Sequence, residues 1–68
     1  MKVALRIKEL RLEKGFTQKK LAEKVGCSAS MVTRWEKEEC EPTATAIVKL
    51  SEALGCTTDY LLGKSDIQ

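Results

Sequence analysis

Three cysteines, Cys27, Cys40 and Cys56, are the side chains of this sequence best suited to metal binding or covalent catalysis. They form no C-x-x-C pair and the sequence contains no histidine, so a zinc site of the usual spacing cannot be assembled. The sequence also lacks a nucleophile–base pair and a glycine-rich phosphate loop. We therefore expect no metal, no cofactor and no enzymatic activity. We interpret the cysteines as free, buried or half-buried thiols of a reducing compartment, with a disulfide or redox switch as the alternative.

The charged residues are unevenly distributed along the chain. Residues 1–35 carry nine Lys and Arg against three Glu, a balance of +6, whereas residues 36–68 carry three Lys against seven acids, a balance of −4. The net charge of +2 says little by itself. A basic first half indicates a face for a polyanion, although an ordinary solvated surface would show the same charges.

Residues 18–37 read QKKLAEKVGCSASMVTRWEK and have the pattern of two short helices joined by a tight turn. Ala22 is small where the two helices must cross closely, and Gly26 supplies the positive φ that the turn requires. Four apolar side chains at helical spacing are expected to pack between the two helices: Leu21, Val25, Val32 and Trp35. Trp35 is therefore expected in the core.

Similar helix start and stop signals divide the whole chain into five short helices. Four glycines, each after an apolar-periodic stretch, are expected to end helices: Gly15, Gly26, Gly55 and Gly63. Residues able to cap the next helix follow these glycines or Pro42: Thr17, Ser28, Thr43, and Thr57 or Thr58. No stretch alternates with period two for long enough to be a strand. The sequence predicts one all-α domain over residues 1–68.

Length and hydrophobicity restrict the class of protein further. With 68 residues the stability margin is thin, but a hydrophobic content of 43% supports a real core. No signal peptide is recognisable, and no apolar run approaches the roughly 20 residues needed to span a bilayer. We expect a protein of the cytoplasm without a membrane partner.

Residues 18–37 resemble the helix-turn-helix of the Cro/C1 family, the phage-repressor type that includes lambda repressor. The resemblance extends to IKELRLEKGFTQ, which is similar to the family's first helix, and to EPTATAIVKLSEALGCTTDYLLG, which is similar to its fourth and fifth helices. It covers about residues 5–63. It implies a compact five-helix, lambda-repressor-like DNA-binding domain with the helix-turn-helix at residues 17–37.

In this family the second helix of the motif, here residues 28–37, lies in the DNA major groove as the recognition helix. Val32, Trp35 and Glu36 face inward on it. The opposite edge is expected to contact bases through Ala29, Ser30, Thr33 and Arg34. Arg34 can donate two hydrogen bonds to guanine O6 and N7, with a phosphate contact as the alternative.

The resemblance also implies contacts to the DNA backbone. Gln18 is expected to hold a phosphate and to brace the recognition helix, and Lys19 and Lys37 are expected to neutralise phosphates. For Lys19 a plain solvated role is the alternative. In the loop after the recognition helix three carboxylates oppose Lys37: Glu38, Glu39 and Glu41. This loop departs from the family pattern, in which basic residues often grip the backbone there.

Two further roles follow from the resemblance. Arg11 and Glu36 are expected to form a structural ion pair, and the last helix is expected to contribute Tyr60 and Leu61 to a dimer contact. Packing of these two residues in the monomer core is the alternative. The implied function is a sequence-specific double-stranded DNA-binding transcriptional regulator, a repressor that binds a palindromic operator as a homodimer in the cytoplasm, at the nucleoid. An antitoxin-type regulator or a protein-interaction module of the same fold is the alternative.

Overall fold

The computed structural model describes residues 2–68, which form five α-helices and no strand. The helices are α1 (Val3–Glu13), α2 (Gln18–Val25), α3 (Ala29–Glu36), α4 (Ala44–Leu54) and α5 (Thr58–Leu62). The all-α, five-helix class predicted from the sequence is confirmed. The helix-turn-helix pattern corresponds to α2, a three-residue connection and α3.

Hydroxyl side chains begin four of the helices. The side chains of Thr17, Ser28, Thr43 and Thr57 each accept a hydrogen bond from the backbone N–H three residues further on, at 3.0–3.3 Å. Each bond satisfies one of the N–H groups that a helix start leaves without an intrahelical acceptor. Of the two alternatives for α5, Thr57 is the cap. The local capping signals in the sequence therefore predict where these helices start.

The core lies where the apolar faces of the helices meet. α3 packs against α2 and α1, α4 packs against α2, and α5 closes the bundle against α4 and α1. The core consists of twelve buried apolar side chains: Val3, Ile7, Leu10, Leu21, Ala22, Val25, Val32, Trp35, Ile47, Leu50, Leu54 and Leu61. Trp35 is only 4% exposed, as its helical spacing predicts.

Leu61 belongs to this core, and the expectation that it contacts a partner chain is wrong. Its side chain has no exposed surface, so it cannot reach another molecule without opening the bundle. The structure shows the alternative prediction for Leu61, which is packing inside the monomer core. Tyr60, the neighbouring residue, is half-buried and keeps part of its surface accessible.

Candidate nucleic-acid interface

The turn between α2 and α3 sets the angle at which α3 leaves the bundle. Gly26 ends α2 with φ of +84°, a conformation that residues with a side chain rarely adopt. The backbone N–H groups of Gly26 and Cys27 both donate to the carbonyl of Ala22, at 2.8 and 3.0 Å. This arrangement satisfies the end of α2 and directs the chain into Ser28, whose hydroxyl caps α3.

α3 has one face in the core and one edge towards solvent. Val32 and Trp35 are buried, whereas Ser30 and Arg34 are exposed. The two remaining residues of the predicted base-contacting edge, Ala29 and Thr33, are half-buried. The structure therefore brings all four predicted residues to one side of a helix, with Ser30 and Arg34 projecting furthest.

Arg11 of α1 holds the C-terminal end of α3 through Glu36. Its Nε donates to Glu36 Oε2 at 2.7 Å and its Nη2 donates to Glu36 Oε1 at 3.2 Å, so the pair is bidentate. The two side chains are only 10% and 5% exposed. Arg11 Nη1 also donates to the carbonyl of Phe16 at 2.9 Å, which ties the chain between α1 and α2 to the same guanidinium.

Gln18, the first residue of α2, bridges to α3 with both ends of its amide. Its Nε2 donates to Glu36 Oε1 at 3.1 Å, and its Oε1 accepts from the hydroxyl of Thr33 at 2.6 Å. The opposite orientation of the amide would place its oxygen against the Glu36 carboxylate, which has no proton to donate. A single polar network thus connects α1, α2 and α3 behind the exposed edge.

This network restricts what Thr33 can offer to a ligand. The Thr33 hydroxyl carries one proton, and its two acceptors within hydrogen-bond distance are Gln18 Oε1 and the carbonyl of Ala29 at 3.1 Å. Because that proton is committed inside the protein, the hydroxyl can offer a ligand only an oxygen lone pair. Thr33 can accept a hydrogen bond from a base but cannot donate one while the network is intact.

The basic residues expected at the DNA backbone lie at the ends of the two helices. Lys19 is exposed in the first turn of α2, where backbone N–H groups without intrahelical acceptors and the helix dipole favour an anion. Lys37 is exposed at the C-cap of α3, and Glu38 next to it adopts a φ of +61°. The carboxylates of the loop after α3 are also exposed, so they can oppose an approaching phosphate.

A second buried arginine, Arg6, was not singled out from the sequence. Its Nη1 donates to the carbonyls of Tyr60 and Ser65, both at 2.6 Å, and its Nη2 donates to Asp66 Oδ1 at 2.8 Å. Its guanidinium carbon lies 3.9 Å from the centre of the Tyr60 ring. One signal could have found it, because Arg6 shares the buried arc of α1 with Val3 and Leu10. Arg6 fastens the C-terminal segment beside Tyr60.

The three cysteines are free and half-buried. Burial raises the pKa of the Cys27 thiol, and it also raises the pKa of Cys56 despite the opposing charge of Lys14. These two thiols are therefore protonated and weakly nucleophilic near neutral pH. Within residues 2–68 no three His, Cys, Asp or Glu side chains come together as a metal site. The described helices include none that is long and apolar enough to cross a bilayer.

Comparison with known proteins agrees with this geometry. A family model described as Helix-turn-helix matches residues 7–61. The chain is 36% identical over 67 residues to the HTH-type transcriptional regulator ImmR of Bacillus subtilis, a match that covers 98% of this chain and 53% of ImmR. It is 39% identical over 62 residues to Repressor protein C2 of Salmonella phage P22, covering 91% of this chain and 28% of that repressor. The chain thus spans about half or less of these relatives.

Two solved structures have the same fold. The DNA-binding domain of the P22 c2 repressor in solution superposes with a TM-score of 0.88 at 36% identity, covering 97% of this chain and 86% of that one. The P22 c2 repressor in complex with a synthetic operator superposes with a TM-score of 0.88 at 35% identity, covering 93% and 96%. These relatives are regulators and repressors, and none of them is an enzyme. Because the family match runs from α1 into α5, the chain belongs to the Cro/C1-type helix-turn-helix family.

Proposed function

We propose that this chain is the operator-binding domain of a transcriptional repressor and that α3 is its recognition helix. The observation that carries the proposal is the exposed edge of α3, held from behind by the network of Arg11, Gln18 and Glu36. A helix that reads base pairs must present side chains to the groove and must not shift against the domain. The P22 c2 repressor, whose fold is the same, binds a synthetic operator.

The four residues of this edge have different roles. Arg34 donates a bidentate pair of hydrogen bonds to a guanine, and Ser30 bonds a base or a neighbouring phosphate. Ala29 offers only a methyl contact, for which the methyl group of thymine is the matching partner. Thr33 accepts a hydrogen bond from an exocyclic amine of adenine or cytosine, because its own proton is bound by Gln18 or Ala29.

Contacts to the DNA backbone come from the start of α2 and the end of α3. The Gln18 side-chain amide keeps one N–H beyond its bond to Glu36. The first turn of a helix also offers backbone N–H groups that can bind an anion. Lys19 adds positive charge at the start of α2, and Lys37 adds it at the end of α3. These contacts position the domain on DNA without selecting a sequence.

We further propose that the chain binds a palindromic operator as a homodimer. One recognition helix reads only a few base pairs, and two copies related by a two-fold axis place their helices about 34 Å apart, one turn of DNA. Tyr60 is the proposed contact, since the residue is half-buried, its ring is held by Arg6, and its hydroxyl takes part in an exposed hydrogen bond with Gln68. Such a regulator works at the chromosome, in the cytoplasm.

The test is selection of bound sites from random duplexes, followed by affinity measurements on the selected site with matched variants. Arg34→Ala is expected to cost about 1–3 kcal/mol of binding free energy and to relax base preference at one position. Lys37→Ala is expected to weaken binding to all sequences alike and to reduce the salt dependence. Lys49→Ala, an exposed cation on α4, is the control and leaves binding unchanged.

Three results would contradict this assignment, in part or as a whole. Equal loss on every sequence with Arg34→Ala would make Arg34 a phosphate ligand rather than a base-reading residue. A selected site with no two-fold symmetry, bound by one chain at saturation, would remove the dimer. Failure of the purified protein to bind any duplex in a salt-sensitive way would remove the function.

A further inference from the structure

Three sulfur-bearing side chains line one open cavity behind the recognition helix. The cavity has a volume of about 440 Å³ and lies between the end of α2, the inner side of α3, the loop after α3 and the start of α4. Cys27, Met31 and Cys40 line it, next to Trp35. Met31 and Trp35 lie one turn apart on α3, and Cys27 lies in the turn before it. None of the four residues of the proposed DNA-contacting edge lines this cavity.

Two of these sulfur atoms are in contact. The Cys40 thiol donates a hydrogen bond to Met31 Sδ, and the two sulfur atoms lie 3.7 Å apart. Two sulfur atoms bound to one ion at about 2.3 Å, with a tetrahedral angle between them, are about 3.8 Å apart. Cys40 is a free thiol, so no disulfide competes for its sulfur. An ion could bind both atoms with little movement of α3 or of the loop.

The type of donor selects the type of ion. Thiolate and thioether sulfur are soft ligands that favour Cu(I) over the harder divalent ions. Within residues 2–68 no three His, Cys, Asp or Glu side chains are grouped so that they could hold a metal ion, and these are the donors that zinc and iron sites usually employ. The thioether of Met31 lies outside that set and is the distinguishing ligand here.

The geometry points to a binding site for one soft monovalent cation of the Cu(I) class, held by Cys40 and Met31 with Cys27 as the third sulfur. On binding, each thiol that ligates the ion forms a metal–sulfur bond and releases its proton to water, and no electron is transferred. The ion would connect the turn before α3, the first turn of α3 and the loop after it. If α3 reads DNA as proposed above, occupancy of this site changes its affinity for the operator.

The primary test is titration of the protein alone with Ag(I), in nitrate buffer without chloride, and with Cu(I) under anaerobic conditions against a competing chelator. Binding of one ion per chain is expected, with quenching of the single tryptophan, Trp35, which lines the cavity. Cys40→Ser and Met31→Leu are each expected to weaken binding at least tenfold. Cys56→Ser is the matched control, because Cys56 is a half-buried free thiol that does not line this cavity.

The outcomes separate the site from its regulatory role. Three ions per chain, or an equal loss of affinity with Cys56→Ser, would show that isolated thiols bind the ion and would overturn the site. Unchanged affinity with Met31→Leu, in protein of wild-type circular dichroism, would do the same. An operator affinity that one equivalent of Ag(I) leaves unchanged would overturn the regulatory role. The titration needs no DNA, so failure of the proposed function would not be mistaken for failure of the metal site.

Discussion

Two arginines of α1 are buried to a similar degree but are held in different ways. Arg6 is 7% exposed and Arg11 is 9% exposed. The carboxylate partner of Arg11 is Glu36, whose side chain is 5% exposed, whereas that of Arg6 is Asp66, whose side chain is 87% exposed. Arg6 compensates with two backbone carbonyls and the face of Tyr60. Both arginines are buried cations. The carboxylate partner of Arg11 is internal, whereas that of Arg6 lies at the surface.

The difference indicates separate tasks for the two ends of α1. The partners of Arg11 lie on α3 and, through Gln18, on α2, so this network fixes the position of the helix that is proposed to read DNA. The partners of Arg6 belong to α5 and the segment after it, so its network fixes Tyr60 and the C-terminal residues. Breaking the Arg11 pair leaves the Glu36 carboxylate buried, whereas breaking the Arg6 pair leaves the Asp66 carboxylate in water.

The largest effect is therefore expected for Arg11→Met. It leaves the Glu36 carboxylate buried without its cation, and breaking one side of a buried pair costs about 3–5 kcal/mol of unfolding free energy. Denaturant unfolding followed by circular dichroism measures the change. The double variant Arg11→Met with Glu36→Leu is the control, because it removes both charges and should recover most of the stability. A single-variant loss below 1 kcal/mol would show that the pair is solvated.

A smaller loss is expected for Arg6→Met. It removes three hydrogen bonds from a charged donor, but Asp66 remains in water, so we expect about 1–3 kcal/mol. Affinity for a single DNA half-site should not change, whereas dimer formation should weaken because Tyr60 loses its support. Arg6→Lys is the matched variant, which keeps the positive charge but loses the planar guanidinium group. A loss as large as that of Arg11→Met would erase the distinction between the two sites.

Gln18→Ala is expected to cost about 1 kcal/mol of stability, since it removes two hydrogen bonds of a half-buried network. It should also weaken binding to every duplex alike. Lys19→Ala, the neighbouring exposed residue, separates the two effects, because it should lower DNA affinity without changing the unfolding midpoint. Unchanged DNA affinity with Gln18→Ala would restrict Gln18 to bracing α3.

The smallest effect concerns Asp66 and appears as a pH dependence. The hydrogen bond from Arg6 and the charges of Lys2 and Arg6 lower the pKa of Asp66 below its ordinary value of 3.8. A carboxyl whose pKa is lower in the folded state contributes stability above its unfolded pKa, and this is lost as the pH falls through the folded pKa. Asp66→Asn should slightly reduce stability at neutral pH and flatten the stability curve below about pH 4. Identical curves for the two proteins would show that the pair contributes nothing.

The fold was predictable because its signals are local. Thr17 and Ser28 cap helices through bonds to residues three positions away, and Gly26 supplies a backbone conformation that its own identity permits. Interactions between distant residues were harder to predict. Arg6 bonds to residues that are 54 to 60 positions away in the sequence, and no periodicity in α1 indicates which carbonyls accept these bonds. Arg11 and Glu36 were paired only through the family resemblance.

The assignment of α5 failed at one residue for a related reason. A helix of five residues is too short for periodicity to separate the buried side from the exposed side. Tyr60 and Leu61 are adjacent and both suit an interface, yet Leu61 is completely buried and Tyr60 is not. The direction of each side chain depends on how α5 packs against α1 and α4, which the sequence of α5 alone does not contain.

The central claim is that the edge of α3 bearing Ser30 and Arg34 is the surface that meets DNA. The most direct measurement is a map of backbone amide chemical shifts during titration of labelled protein with its selected duplex. We expect the largest changes at residues 28–34 and in the first turn of α2, with the outer face of α4 unchanged. Changes concentrated on α4 or α5, with the amides of α3 unaffected, would contradict the account.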